Sequence, residues 1–249
     1  VIVSAWHMRF WALKRQGMKY KFTSAWMAIG NRKFLWGNQL RDNVFWSCVS
    51  GGIIWTGYEA LSMWAYANEI IPYVDPRQEP IYCVLLMLSI PMWRVFHFYW
   101  SHRLTHWPPI YKAAHYLHHK NINIGPWSGL AMHPIEHLIY FSCVLLHWVV
   151  PSHPIHVLMN LQHAALTPAK GHLGFEKLVI KSDPGKGDSS VPGGSYFHQQ
   201  HHRYFECNYG ETDFPIDKWF GTFHDGSPEA HEAMRKKRKA SHNITADTD

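Results

Sequence analysis

The sequence predicts an all-α fold: an integral membrane helical bundle, with about four membrane-embedded helices in two hairpins, under a cytosolic histidine-rich helical cap. Three observations support this prediction. Apolar runs alternate with basic segments along the chain. Aromatic residues make up 15% of the composition, with 13 Trp, and Trp and Tyr concentrate at membrane interfaces. The chain also has 20 His, many at the spacing that places side chains on one face of a helix.

Residues 1–43 form a basic, aromatic segment that we expect to lie at the membrane interface. Eight Lys or Arg stand against a single acid, Asp42, and four Trp are interleaved with them. The first residue is Val1 rather than Met, which is compatible with a missing N-terminal piece. The sequence has no recognisable signal peptide, so we expect internal segments to direct membrane insertion.

Four apolar runs follow and are the candidate membrane helices; their bounds are about 44–71, 81–100, 133–150 and 155–166. The first contains only Glu59 and Glu69 as charged residues, and at 1.5 Å per residue it is long enough to cross a bilayer core of about 30 Å. Pro91 predicts a kink in the second run. The last two runs are short for complete spans, and the sequence PSHP separates them.

The charged residues between the runs indicate the orientation in the membrane. Basic residues precede the first run, acids predominate in the loop after it, and 11 Lys or Arg follow residue 169. Because cytoplasmic segments of membrane proteins are enriched in Lys and Arg, we expect a multi-pass protein with both termini and the histidine-rich segments on the cytoplasmic side.

The chain therefore divides into an interfacial segment over 1–43, a membrane-embedded domain over 44–224 and a basic tail over 225–249 that contains RKKRK. Residues 182–195 (SDPGKGDSSVPGGS) lack the GxxxxGK[ST] spacing of a phosphate loop and predict a flexible loop. The basic residues gather at the two ends rather than along an aromatic-interleaved face, which argues against nucleic-acid binding.

Three histidine motifs stand out: HRLTH at 102–106, HYLHH at 115–119 and HQQHH at 198–202. With 20 His in 249 residues, roughly 0.13 copies of H-x-x-H-H are expected by chance, so two copies indicate a function. On a helix, His residues three or four apart share one face and can hold one metal ion together. Eight imidazoles exceed the four ligands of one zinc ion, which predicts two metal ions.

Imidazole binds Fe, Zn, Cu and Ni alike, so the ligand type alone does not identify the metal. The setting favours iron. A metal pair at the inner face of a hydrophobic helix bundle can meet the C–H bonds of a lipid chain, which activated dioxygen can attack and a hydrolytic zinc ion cannot. The four Cys form no CxxC pair, which excludes a zinc ribbon or a redox dithiol.

Five elements together resemble the fatty acid hydroxylase and sterol desaturase superfamily: HRLTH, HYLHH, AMHPIEH, GHLGFE and HQQHHRYFECNYGETDFPIDKWFGTF. The family pattern is HxxxH, HxxHH and a distant HxxHH. The resemblance covers about residues 90–224, and the trailing NYG element (208–210) and the element from Asp217 to Thr222 agree with it as well. It implies an integral membrane di-iron oxygenase with four membrane-embedded helices and a cytosolic cap.

The resemblance also implies the metal ligands. By motif position eight carry over: His102, His106, His115, His118, His119, His198, His201 and His202. His172, in the GHLGFE element, matches a further histidine that binds metal in some members of the family. Glu176, four residues after His172, would share its face on a helix and is a candidate ligand or supporting residue. His133, Glu136 and His137 are candidates for an extra ligand or for orienting one, since a carboxylate beside a ligand imidazole can accept its free N–H. For the remaining His at 97, 147, 153, 156, 163 and 224, we expect hydrogen-bonded core or interfacial positions.

The chemistry that the resemblance implies is oxidation of an unactivated C–H bond in a membrane lipid such as a sterol or a fatty acyl lipid. It requires two ferrous ions, O2 and two electrons. The sequence has no haem, flavin or nicotinamide fingerprint, so we expect an external ferredoxin-like or cytochrome donor with its reductase. The basic ends favour an acidic donor. The His spacing does not separate hydroxylation from desaturation.

Two other functions remain open from the residues. A membrane metal transporter or metal-binding protein would also collect His, but it should place ionisable ligands midway through its spans, whereas these motifs lie outside the apolar runs. A zinc-dependent hydrolase would need an open metal position and a general base, and the sequence has no HExxH motif.

Overall fold

The structure is a computed structural model that describes residues 1–183, 185, 187–194 and 196–236. The described chain is mostly helical. Its α-helices are α1 Ile2–Trp6, α2 Gln39–Phe45, α3 Gly52–Ala67, α4 Pro80–Thr105, α5 Pro108–Ile110, α6 Tyr116–His119, α7 Pro134–Phe141, α8 Pro154–Gly171, α9 Tyr196–Tyr204 and α10 Ile216–Trp219. Three π-helical turns (His7–Ala12, Trp46–Gly51, Tyr111–His115) and three 3-10 turns (Leu35–Gly37, Pro126–Ser128, Ser142–Trp148) adjoin them.

The first apolar run is a continuous helix, because α2, the π-helical turn and α3 follow one another from residue 39 to residue 67. Asn38 caps its start: the side-chain oxygen accepts a hydrogen bond from the Arg41 amide. At the other end, the Asn68 side chain donates to the Trp64 carbonyl. Glu69 then takes a left-handed backbone conformation (φ 57°), which a right-handed helix cannot continue.

Helix α4 contains the second apolar run. Pro80 occupies its first turn, where a missing N–H costs nothing, and the helix continues through Pro91 to Thr105. Among the described residues it is the single helix that is long and apolar enough to cross a membrane by length and composition. Little of its apolar length is buried within the structure, and Leu85 and Leu88 are exposed. The predicted kink at Pro91 stays a prediction.

The third and fourth runs form α7 with the 3-10 turn after it, and α8. His133 and His153 cap these two helices, since each ring Nδ1 accepts from the amide two residues later. Helices α3 and α4 both contact α7 and α8, and the four runs share one apolar core that includes Phe141, Val144 and Leu161. How many of these helices cross a membrane stays a prediction.

The fold also contains a β-hairpin that the sequence analysis did not predict, so the chain is not all-α. Strand β1 (Lys177–Asp183) pairs antiparallel with β2 (Gly187–Pro192), with a bulge between Val179 and Lys181. The flexible loop predicted over 182–195 is therefore wrong for Ser182 and Asp183 of β1 and for the residues of β2. A distant segment holds the hairpin, because the Gln16 side chain accepts from the Val179 amide and donates to the Lys177 carbonyl of β1. The local sequence of the hairpin does not reveal this contact.

The N-terminal segment packs on this hairpin. Phe10 and Trp11 are buried in a cluster with Leu173, Phe175 and Leu178. At the other end of the chain, residues 228–236 are helical. Residues 237–249, with the end of the basic RKKRK sequence, lie outside the described residues. The three-part division of the chain and the interfacial role of residues 1–43 stay predictions.

Candidate metal centre

The first histidine motif ends helix α4. His102 lies in its last turn and His106 caps it, so the two imidazoles are one helical turn apart. His102 is buried, and the Phe98 ring, one turn earlier, stacks on it with 4.9 Å between ring centroids. Helix α4 thus places two imidazoles at the C-terminal end of its apolar segment.

The second motif follows a sharp change of direction. Trp107 is extended, Pro108 starts α5, and the π-helical turn Tyr111–His115 leads directly into α6. His115, His118 and His119 are all buried there. π-helical turns are rare and often mark functional sites, and this one sets the position of His115.

The third motif lies on α9, where His198, His201 and His202 are buried. His172 caps the C-terminus of α8 and is also buried. Its Nδ1 lies 2.8 Å from the Pro168 carbonyl oxygen, one turn back in the same helix. Helices from distant parts of the chain therefore meet at one place.

The nine histidines that the motifs and the resemblance single out gather into two groups. In each group the nearest ring nitrogens all lie within 4.8 Å of one another. The five-histidine group contains His102, His106, His115, His119 and His201. The four-histidine group contains His118, His172, His198 and His202. Each H-x-x-H-H motif contributes to both groups: its first and last histidines, four residues apart, lie in one group, and its middle histidine lies in the other.

Several imidazoles donate their Nδ1–H to fixed oxygen atoms. His102 contacts the Tyr209 carbonyl and His201 the Cys207 carbonyl, each at 2.6 Å. His115 contacts a carboxylate oxygen of Glu136 at 2.7 Å. A ring that donates from Nδ1 keeps a lone pair on Nε2, which is the form of imidazole that binds a metal.

The Nε2 atoms of each group then converge on one another. In the five-histidine group, Nε2 of His106 lies 3.0 Å from that of His115 and 3.1 Å from that of His201. In the four-histidine group, Nε2 of His172 lies 3.0 Å from that of His202. Nitrogen lone pairs that face one another repel unless a cation binds between them. Two ligand nitrogens at right angles around an ion, with bonds of ~2.1 Å, are ~3.0 Å apart. The residues therefore fit a metal ion in each group.

Burial keeps these rings neutral. It lowers the pKa of His172 to about 4, although the hydrogen bond to the Pro168 carbonyl acts in the opposite direction. Burial, with neighbouring imidazoles adding to the effect, holds the pKa of His118, His119 and His202 well below the ordinary value. At neutral pH the site therefore offers uncharged nitrogen donors, as metal binding requires.

Glu136 supports the five-histidine group from outside it. One carboxylate oxygen accepts from His115, and the other, Oε2, is buried without a hydrogen-bond partner in the structure. Of the two roles predicted for Glu136, ligand or supporting residue, its position corresponds to the supporting one. The signal in the sequence was its place between His133 and His137.

The other candidates lie apart from both groups. Glu176 is exposed just before β1, and the helix expected to align it with His172 ends at Gly171. The premise of a shared helical face is therefore wrong. His133 caps α7 through Nδ1, and His137 bonds Ser50 and the Leu130 carbonyl. Neither belongs to either histidine group.

Five of the six histidines without a paired motif have other partners, whereas Nδ1 of the sixth, His163, is buried with no hydrogen-bond partner among the described residues. His97 bonds Ser142, His147 bonds Asn160 and His156 bonds the Cys83 carbonyl. His153 caps α8, and His224 accepts from the Gly226 amide. Sequence reasoning missed the carbonyls of Cys207 and Tyr209, since a backbone oxygen leaves no signature in the residue type.

A cavity of about 510 Å³ adjoins both groups. Histidines from both groups form one side: His102, His115, His118, His172 and His198. Apolar side chains of α4 and α7 form much of the rest, among them Met92, Val95, Phe98 and Ile139. The lining follows α4 from Pro91 to Thr105, a rise of ~20 Å at 1.5 Å per residue. Its size and lining suit an elongated apolar molecule.

Comparison with protein families identifies a match between residues 87–222 and the sequence model of the fatty acid hydroxylase family. The match covers more than half of the chain and includes all nine histidines. No solved structure matches the chain.

Curated relatives are fungal sterol desaturases. A delta(7)-sterol 5(6)-desaturase of Aspergillus fumigatus is 28% identical over 169 residues, which are 67% of this chain and 45% of the relative. A delta(7)-sterol 5(6)-desaturase of Gibberella zeae is 32% identical over 167 residues, 60% of this chain and 47% of the relative. A third, from Eremothecium gossypii, is 30% identical over 146 residues, 58% and 39%. The chain thus spans less than half the length of these relatives.

Proposed function

This chain belongs to the fatty acid hydroxylase family, and we propose that it is a membrane di-iron enzyme that uses O2 to oxidise an unactivated C–H bond of a membrane lipid. The observation that carries the proposal is the pair of buried histidine groups beside one elongated apolar cavity. A hydrolytic or transport function would not need a cavity of this shape next to two neutral, all-imidazole groups.

The two histidine groups would each hold one iron ion. Imidazole alone does not select iron, and the family together with the apolar cavity supports that choice. When bound, the two ions supply, with O2 and two electrons, the oxidising power needed to remove hydrogen from a C–H bond. All nine predicted histidines are needed on this view, while Glu136 acts through His115 and the candidates Glu176, His133 and His137 bind no metal.

The chain's own residues bind and orient the substrate. The apolar lining along α4 holds a lipid lengthwise and excludes water, so that one carbon lies at the histidine end. The histidines stay neutral through burial, and carbonyls or Glu136 fix the ring orientation. Since the curated relatives are named sterol desaturases, a sterol is the first substrate to test and a fatty acyl lipid the second. Desaturation and hydroxylation both fit this geometry.

We further propose four membrane-embedded helices in two hairpins, with both termini and the histidine groups on the cytoplasmic side. The apolar runs and the excess of Lys and Arg at the two ends support this topology. Electrons would come from an external ferredoxin-like or cytochrome donor with its reductase. Replacing the basic residues of RKKRK with Gln should weaken turnover at low salt if they dock an acidic donor, and unchanged turnover across salt would exclude that docking role.

The central test is metal content and oxygen use. The full chain, purified in detergent after expression with iron, should contain two irons per chain by elemental analysis and consume O2 when sterol, donor and reductase are present. Lipid extracts from cells with the active chain and with a His118→Ala chain should differ by one oxidised or desaturated lipid in mass spectra. Activity with zinc and without O2 consumption would overturn the proposal.

A further inference from the structure

The NYG element and the segment from Asp217 to Thr222 accompany the histidine motifs, yet neither supplies a histidine. We infer that Asp217 is a positioning residue that sets the orientation of His102 and His201, and so controls metal binding by the five-histidine group. This inference rests on the proposed metal site. It concerns a residue that touches none of the nine histidines directly.

Asp217 is 2% exposed and lies in the short helix α10. Its two carboxylate oxygens accept three hydrogen bonds, from the amides of Tyr209 and Gly210, each at 2.8 Å, and from the Thr222 hydroxyl at 2.6 Å. A buried carboxylate is costly without such donors, and this one has three charge-assisted hydrogen bonds. Asp217 therefore fixes the backbone at residues 209 and 210.

The same backbone carries the two carbonyls that hold histidines. The Tyr209 carbonyl accepts from His102 Nδ1 and the Cys207 carbonyl from His201 Nδ1, both at 2.6 Å. Each carbonyl fixes which nitrogen carries the proton and the direction of the opposite Nε2. A displacement of the 207–210 loop would therefore turn two of the five imidazoles in one group.

The loop has a second anchor and little freedom. Asn208 takes a left-handed conformation (φ 56°), which Asn tolerates better than most residues. Its side chain accepts from the His224 amide at 2.7 Å and donates to the His224 carbonyl at 2.9 Å. At Gly210, an added Cβ would lie 2.8 Å from Oδ2 of Asp217, so only glycine permits this close approach. Asn208, Gly210 and Asp217 thus act together.

The histidines of the four-histidine group are not held by this loop; its link to their helix α9 is the Asn208 side chain, which donates to the Phe197 carbonyl and to Gln200. His172 is held by the Pro168 carbonyl within α8, and among the described residues no hydrogen bond or ring contact joins His118, His198 or His202 to residues 207–210. Damage to Asp217 should therefore affect the two groups unequally. A general loss of folding would affect both groups alike.

The test is a metal titration of the full chain in detergent with Co²⁺, whose visible absorption is more intense at four-coordinate than at five-coordinate sites. Asp217→Asn replaces one acceptor oxygen with an NH2 group that faces backbone N–H donors. We expect one Co²⁺ to bind as in the parent chain and the other to bind about 10- to 100-fold more weakly. Asp225→Asn, an exposed aspartate that bonds only the nearby Ser227 segment, is the matched control and should leave both sites unchanged.

A milder variant keeps the test decisive if Asp217→Asn does not fold. Thr222→Val removes one of the three donors to Asp217 and keeps the side-chain shape, so it should weaken the same Co²⁺ site by a smaller factor. Equal weakening of both sites, or no weakening of either, in the variant that folds would overturn the inference. A parent chain that binds no Co²⁺ and no iron would instead overturn the proposed function, which separates the two failures.

Discussion

His115 Nδ1 lies 2.7 Å from Oε1 of Glu136, and both side chains are buried beside the same cavity. Among the described residues, Glu136 is the carboxylate that hydrogen-bonds one of the nine histidines, and the other Nδ1 hydrogen bonds in the two groups go to backbone carbonyls. A carboxylate makes the imidazole a stronger donor to a metal than a carbonyl does. His115 is thus distinguished within the five-histidine group.

Glu136→Ala should therefore weaken iron binding by the five-histidine group about 10- to 100-fold, the usual effect of losing a hydrogen-bond partner of a ligand. Glu136→Gln keeps an oxygen that can accept from His115 and should retain two irons per chain. Iron affinity, measured by competition with a chelator, checks both. Identical affinities for the parent chain and Glu136→Ala would show that the carboxylate does not tune the site.

His201 and His118 belong to different groups, and this allows a sharper mutational test than loss of activity alone. His201→Ala should lower iron content chiefly at the five-histidine group and His118→Ala at the four-histidine group, so each leaves about one iron per chain and no lipid oxidation. His156→Gln is the control, since His156 is buried but bonds the Cys83 carbonyl outside both groups. Equal iron loss in all three variants would contradict the assignment of residues to groups.

The helical spacing of the histidines agrees with their grouping in the structure, while their role as metal ligands stays a prediction. His198 and His202 are four apart on α9 and do share a group, as do His115 and His119. The division of each H-x-x-H-H motif between two groups was not predicted, since it depends on how α4, α6, α8 and α9 pack. The family resemblance is confirmed by the match over residues 87–222.

What the sequence could not predict depends on contacts between distant segments. Strand β2 has a polar, glycine-containing sequence that is typical of a loop, and it is ordered against β1, which the N-terminal segment covers. Glu176 was aligned with His172 by assuming a helix, whereas the helix ends before His172 and the chain turns into β1. Periodicity shows which residues share a face only while the element continues.

The cavity allows a test of substrate binding that does not depend on metal content. Ile139 lines the cavity, while its neighbour Leu138 is 51% exposed on the outer side of α7. Ile139→Trp should occupy part of the ~500 Å³ space, so we expect turnover of a sterol to fall at least tenfold with two irons retained. Leu138→Trp adds the same side chain on the exposed face and should leave turnover within about twofold. If Ile139→Trp turns over sterol like the parent chain, the substrate does not occupy this part of the cavity.

Burial of so many neutral imidazoles makes the metal-free protein sensitive to acid. His172 has a pKa of about 4 in the folded chain, against an ordinary value of 6.5, so the unfolded state binds its proton first as the pH falls. A lowered folded-state pKa contributes stability that is fully present above pH ~6.5 and is lost as the pH falls towards ~4. The pKa values of His118, His119 and His202 are shifted in the same direction, and their effects on stability act together.

We expect the melting temperature of chelator-treated protein to fall steeply between pH ~7 and ~5, and less steeply with iron bound, since iron competes with protons for the same nitrogens. A His172→Gln chain should show a shallower dependence than the parent, and a melting temperature independent of pH over this range would show that these rings are not held neutral by the fold.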